Sequence, residues 1–138
     1  MGIALVLYVL VLFYFMFFSE RYGRLNASAD YRYNLHLFAE IRRYIVYRTE
    51  VGPEYFIVNI FGNVLAFAPF GFFLSIAKPK LARVYAIIVM SFLLSLTIET
   101  LQLLLKVGIF DVDDLFMNTV GGLLGYGIYR MTRKVLKV

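Results

Sequence analysis

Four carboxylates and four side-chain amides stand at spacings that could gather them in one place. Glu99 precedes Gln102 by three residues, Asp111, Asp113 and Asp114 form an acidic run, Asn118 follows Asp114 by four, and Asn59 and Asn63 are four apart. Carboxylates grouped in this way can bind a hard cation through oxygen ligands. They can share a proton, one pKa being raised by its neighbours, or receive a cationic ligand. Glu99, Asp111 and Asp114 are the candidate metal ligands, although the spacing assigns no metal and names no cofactor. Plainer roles compete. Asp111 or Asp113 can cap a following helix, and Glu99 can make an interhelical hydrogen bond to Asn or Gln. Ser91 and Ser95 have no histidine near them in sequence, which speaks against a hydrolase triad. His36 is the only histidine, and its aromatic, basic surroundings suit an interface better than catalysis.

Strongly apolar segments must position these groups. Of the 138 residues, 62% are hydrophobic and 18% aromatic, and the mean hydropathy is +0.77. That exceeds the apolar share of ordinary soluble domains. The length suits a single domain. The absence of cysteine excludes disulfides and thiolate metal sites. A net charge of +5 reads in such a chain as basic flanks facing anionic headgroups, not as nucleic-acid binding.

A spanning helix needs roughly 20 apolar residues, and stretches at about 2–19, 55–77, 81–105 and 113–131 qualify. The expected fold is therefore all-α: a polytopic membrane protein with four transmembrane helices. The first stretch has no basic region before it and no cleavage site before Glu20, so it reads as a retained anchor. Pro69, flanked by Gly62 and Gly71, predicts a kink or local unwinding in the second. In the long first connection, residues 31–48 mix Tyr, Phe, Ile and Leu with Arg. That composition predicts an amphipathic helix in the headgroup layer, or else a loop over the end of the bundle.

The polar residues fall into stripes. Ser91, Ser95, Glu99 and Gln102 lie within about 80° of arc on one helix, and Asp114, Asn118, Gly122 and Gly125 share a face on the next. Such faces turn towards other helices. Asn59 and Asn63 begin the second span, Glu99 and Gln102 end the third, and Asp114 and Asn118 begin the fourth. Alternating spans would bring all of them to one side of the membrane, with Glu99 ~9 Å in from Leu105. The expectation is a polar, carboxylate-rich pocket opening on the side of the long connection, with the first helix contributing no chemical group. Gly121 and Gly125, with Gly122 beside them, allow close helix approach. Packing within the bundle is favoured because Asn118 shares their face; the alternative is a homo-oligomer. Lys and Arg divide seven to seven between the two sides, and the denser charges of the C-terminal tail tilt that side towards the cytoplasm.

The runs Asn59-Ile-Phe-Gly-Asn63…Pro69-Phe-Gly71, Ser95-Leu-Thr-Ile-Glu99-Thr-Leu-Gln102 and Phe110-Asp-Val-Asp-Asp114-Leu-Phe-Met-Asn118 resemble the VanZ-like family, in order and spacing, from about Asn34 to Tyr126. The resemblance places Asn59, Asn63, Pro69, Glu99, Gln102, Asp111, Asp114 and Asn118 at the family's signature positions. It implies a multi-pass protein of the bacterial cytoplasmic membrane. Its founding member is associated with reduced susceptibility to teicoplanin, a glycopeptide acting outside the cell. A glycopeptide or a lipid-linked cell-wall component is the ligand class this suggests, with the lipid bilayer as the general partner. A metal-dependent enzyme acting on a lipid or polyprenyl-phosphate headgroup is the alternative, and a small ion or proton pathway the weaker one. Two departures stand out. Many members carry a proline in the stretch matching Asn34 to Phe38, and many place an arginine where this chain has Gly108-Ile109. Here Lys106 or the Arg42-Arg43 pair would have to supply that charge.

Overall fold

The computed structural model describes residues 2–18, 30–51 and 53–136. Its elements, in order, are α1 (Gly2–Phe18), β1 (Tyr33–Asn34), α2 (Ala39–Val51), α3 (Pro53–Ala77), a 3-10 turn at Pro79–Leu81, α4 (Val84–Leu104), β2 (Phe110–Asp111) and α5 (Val112–Leu136). Among the described residues two helices, over Ile57–Ala77 and Val84–Leu104, are long and apolar enough to cross a membrane; α1 is apolar but shorter. α5 extends over 25 residues and carries Asp113 and Asp114 in its first turn and Arg133 and Lys134 in its last. That charge distribution favours the helix macrodipole at both ends.

α5 is the hub. Its most extensive contact is with α3, it also packs on α4, and α1 lies against α3. Gly71 meets Gly122 and Asn63 meets Asp114, so α3 and α5 run in the same direction. Ser91 meets Gly122 and Ser95 meets Asn118, so α4 runs the opposite way. Met16 of α1 meets Gln102 of α4, and Leu12 shares a buried cluster with Ile98 and Phe67, so α1 runs with α4. A second cluster joins Phe70, Leu74, Ile87 and Tyr126. The close α3–α5 seam depends on missing side chains. A Cβ on Gly125 would lie 1.7 Å from the Ala68 carbonyl oxygen, and one on Gly71 1.9 Å from that of Gly122.

Polar side chains share the interior with the apolar clusters, and many large apolar side chains are exposed. Ser75, Ser91, Ser95, Glu99, Gln102 and Asn118 are buried, whereas Leu7, Leu10, Phe15, Leu65, Phe92 and Leu124 are exposed. A buried polar residue and an exposed apolar patch are the two informative departures from ordinary burial, and this bundle has both.

Two expectations need correcting. The helix predicted over 31–48 begins only at Ala39, and non-helical angles at Tyr47 interrupt it. Its first part instead forms β1, which pairs in parallel with β2, Tyr33 opposite Phe110 and Asn34 opposite Asp111. The chain prefers this because Phe110 donates its N–H to the Arg32 carbonyl at 3.0 Å, giving the backbone a long-range partner. Second, α3 passes through Pro69 without local unwinding. The missing N–H removes one intrahelical hydrogen bond, and the tight packing of Phe67, Ala68 and Phe70 holds the helix across it.

Candidate functional site

The end of the bundle where α3 begins, α4 ends and α5 begins carries the predicted polar residues. α5 starts at Val112 because Asp111 caps it: Asp111 Oδ1 accepts the Asp113 N–H at 2.8 Å, satisfying one of the helix's orphan donors. Asn34 Nδ2 lies 3.2 Å and 3.3 Å from the two Asp111 carboxylate oxygens. Asn34 Oδ1 in turn accepts the N–H of His36 at 3.1 Å, which turns the chain out of β1. Burial pushes the Asp111 carboxyl above the ordinary carboxylate range; the Asp113 charge adds to this, against the hydrogen bonds from the Asp113 N–H and Asn34.

Asp113 holds the next turn. Its Oδ1 accepts the N–H of Phe38, a residue at φ 63°, where a bulky side chain is strained. The Phe38 ring meets Phe116 edge-on at 5.4 Å. Asp113 and Phe116 therefore fix the one irregular residue that leads into α2.

Glu99 is only 2% exposed, and its Oε2 accepts the Asp111 N–H at 3.1 Å. α4 closes just beyond it. Val107 donates to the Gln102 carbonyl at 3.0 Å and Lys106 to that of Leu103 at 3.1 Å, with Lys106 at φ 56°. These are the paired bonds of a Schellman stop. The Gln102 side chain points away from the acids, and its Nε2 donates to the Met16 carbonyl of α1 at 2.8 Å. Asn63 Nδ2 donates to Asp114 Oδ1 at 2.5 Å, and deeper in the bundle Asn118 Nδ2 donates to Ser95 Oγ at 2.9 Å. Asn118 Oδ1 and Ser91 Oγ are buried without a hydrogen-bond partner among the described residues. Asn59 is half-buried on the same helix as Asn63. Lys106 Nζ stands 4.6 Å from the centre of the Tyr31 ring, a cation–π contact between the two connections.

The predicted residues thus converge, but much of what they do is bond one another and the backbone. Among the described residues no three Asp, Glu or His side chains gather in a group that could hold a metal ion. α1 is held by polar contacts as well as apolar packing: the Met16 carbonyl receives Gln102, and the Tyr8 hydroxyl donates to the Ala66 carbonyl. One open space among the described residues lies beside this end. A cleft of about 570 Å³ runs along the first connection, lined among others by His36, Phe38, Arg42, Arg43, Val46 and Tyr47. Sequence reading missed Asn34, the Phe38 N–H and the Met16 carbonyl. Only Asn34, two residues before His36, carried a visible turn signal.

Exposed apolar faces over buried polar groups, helices of alternating direction and one end tied together by acids and amides define a small helical bundle suited to an apolar solvent. The chain belongs to the VanZ/LLP1 family, whose profile matches residues 5–133. It is similar to Protein VanZ of Enterococcus faecium, with 37% identity over 78 residues, covering 52% of this chain and 44% of that protein. The match therefore spans less than half the length of that relative. No solved structure matches the chain.

Proposed function

We propose that the chain is a four-span protein of the bacterial cytoplasmic membrane that lowers susceptibility to teicoplanin-type glycopeptides, acting at an acid-and-amide end that faces the outside. Three features support the four crossings. The helices alternate in direction, and their outer faces are apolar while polar side chains such as Ser95, Glu99 and Asn118 are buried between them. In length, α5 with 25 residues extends ~37 Å, beyond a hydrocarbon layer of about 30 Å, and α1 with 17, at ~25 Å, is at the lower limit of spanning helices. The basic residues that end α5, Arg130, Arg133 and Lys134, lie at the opposite end from the acids and favour the cytoplasm.

The resistance role follows from family membership and the resemblance set out above. The observation that carries the choice of site is the tie between Glu99 and the Asp111 N–H. It joins α4 to the stretch where the first connection, Asn34 and the start of α5 meet. Changes there would alter the surface presented to an external antibiotic or to a lipid-linked cell-wall precursor. Glu99→Ala and Asp114→Ala are expected to insert into the membrane and to return the host to full teicoplanin susceptibility. Undiminished protection in variants expressed at wild-type level would overturn the reading.

A further inference from the structure

We propose that the cleft along the first connection is a specific site for the phosphate headgroup of an anionic lipid of the same membrane. It extends the reading above, resting on the membrane location and not on the resistance role.

The acids are the conspicuous groups at this end of the bundle, yet they hold the structure together. Asp111 caps α5 and binds Asn34, Glu99 receives the Asp111 N–H, and Asp113 receives that of Phe38. The consequence is that the stretch from Tyr33 to Phe38 is held at the start of α5, beside described residues that are basic. Arg42, Arg43 and His36 all line the cleft, and none of the described lining residues is an acid. A guanidinium presents paired N–H donors that match two phosphate oxygens, and its weak hydration suits a site at the edge of lipid.

The remaining walls are apolar. Phe38, Val46 and Tyr47 line the same space, and Val46 is 60% exposed. A free phosphate would gain nothing from them, whereas the glycerol and upper acyl carbons of a lipid would. The volume of about 570 Å³ falls within the usual range for small-molecule sites. The position also fits. β1 is bonded to β2 at the start of α5, and the Asp113 contact to Phe38 places the entrance of α2 at the same level, where an apolar bundle ends and headgroups begin.

The test uses the purified full chain in detergent micelles doped with phosphatidylglycerol or phosphatidylcholine, with retained lipid read by native mass spectrometry. The wild type is expected to retain one phosphatidylglycerol in preference to phosphatidylcholine. The doubly substituted Arg42→Gln/Arg43→Gln protein is expected to lose that preference by about tenfold or more. Arg130→Gln/Lys134→Gln, which removes the same charge at the far end of α5, is expected to keep it. Val46→Asp, which leaves both arginines and adds a carboxylate to the cleft, is expected to lose it. Comparable melting temperatures for the four proteins confirm that folding is not the cause. Equal retention by the Arg42/Arg43 variant would overturn the proposal. So would an equal loss in the Arg130/Lys134 control, which would mean general surface charge, or displacement of the lipid by millimolar inorganic phosphate, which would mean a free-phosphate site.

Discussion

The Glu99 carboxylate accepts the backbone N–H of Asp111 at 3.1 Å, so the last turns of α4 and the cap of α5 are joined by one buried contact. Asp111 in turn caps α5 with its side chain and takes two contacts from Asn34 of the first connection. Three segments distant in sequence therefore meet at one residue, and its neighbours set what this end of the bundle can do.

Removing that acceptor has a measurable cost. Glu99→Ala leaves the buried Asp111 N–H without its partner, a loss of roughly 1–3 kcal/mol. Glu99→Gln keeps a carbonyl oxygen at the same place and is expected to retain most of the stability. Thermal unfolding of both variants in detergent separates them; identical melting would mean the contact contributes nothing.

The acidity of Asp111 sets a direction for the pH response. Burial holds its carboxyl above the ordinary value of 3.8, so folding favours the protonated form. The contribution of this group is fullest below 3.8 and is lost as pH rises through the folded-state value. Asp111→Asn removes that dependence while keeping an oxygen for the helix cap. The melting temperature of the wild type is therefore expected to gain on that of the Asn variant as pH is lowered from neutrality towards 3.8. A difference independent of pH would contradict this.

The helix seam ranks the glycines. At Gly125 an added methyl would lie 1.7 Å from the Ala68 carbonyl oxygen, which is backbone and cannot swing away. At Gly122 it would lie 2.0 Å from Ser91 Oγ, which a side-chain rotation moves, and 2.8 Å from Ser91 Cβ, which a small shift of α4 must accommodate. Gly125→Ala is expected to be the more damaging, separating α3 from α5, and Gly122→Ala the milder. Gly121, facing the Val64 carbonyl at 2.3 Å, belongs with Gly125. Yield of folded protein and melting temperature test the order.

Gln102 is expected to behave as a tether. Its Nε2 holds the Met16 carbonyl at 2.8 Å, and hydrogen bonds between helices in lipid are worth about 0.6 kcal/mol, with a maximum near 1.7. Gln102→Leu should loosen α1 without dispersing the bundle. Cross-linking of an introduced cysteine pair across α1 and α4 would fall; unchanged efficiency would show that α1 is held by apolar packing alone.

Much of this architecture is legible from residue type and period. Charge-free and nearly charge-free runs locate α1, α3 and α4, and spacing of three or four puts Ser95, Glu99 and Gln102 on one face, and Asp114 and Asn118 on another. Asp111 as a cap is also legible, because an Asp before an apolar run answers the orphan N–H groups of a helix start. What hides is the backbone's own part. Phe38, Met16 and Phe110 take part through N–H or carbonyl groups that every residue carries, so their types give no signal. The β1–β2 pairing joins residues separated by 77 positions, and no local pattern announces it. The direction in which Gln102 turns is likewise decided by which helix lies beside it.

The native chain has no cysteine, so single cysteines introduced at Ile109, 47% exposed beside the acids, and at Val135, 78% exposed near the end of α5, report the two ends of the bundle. With a membrane-impermeant maleimide on intact cells, the central claim of an acid-bearing end facing outward expects Ile109→Cys to label at once and Val135→Cys only after permeabilisation. Labelling of both from the same side, or the reverse pattern, would contradict it.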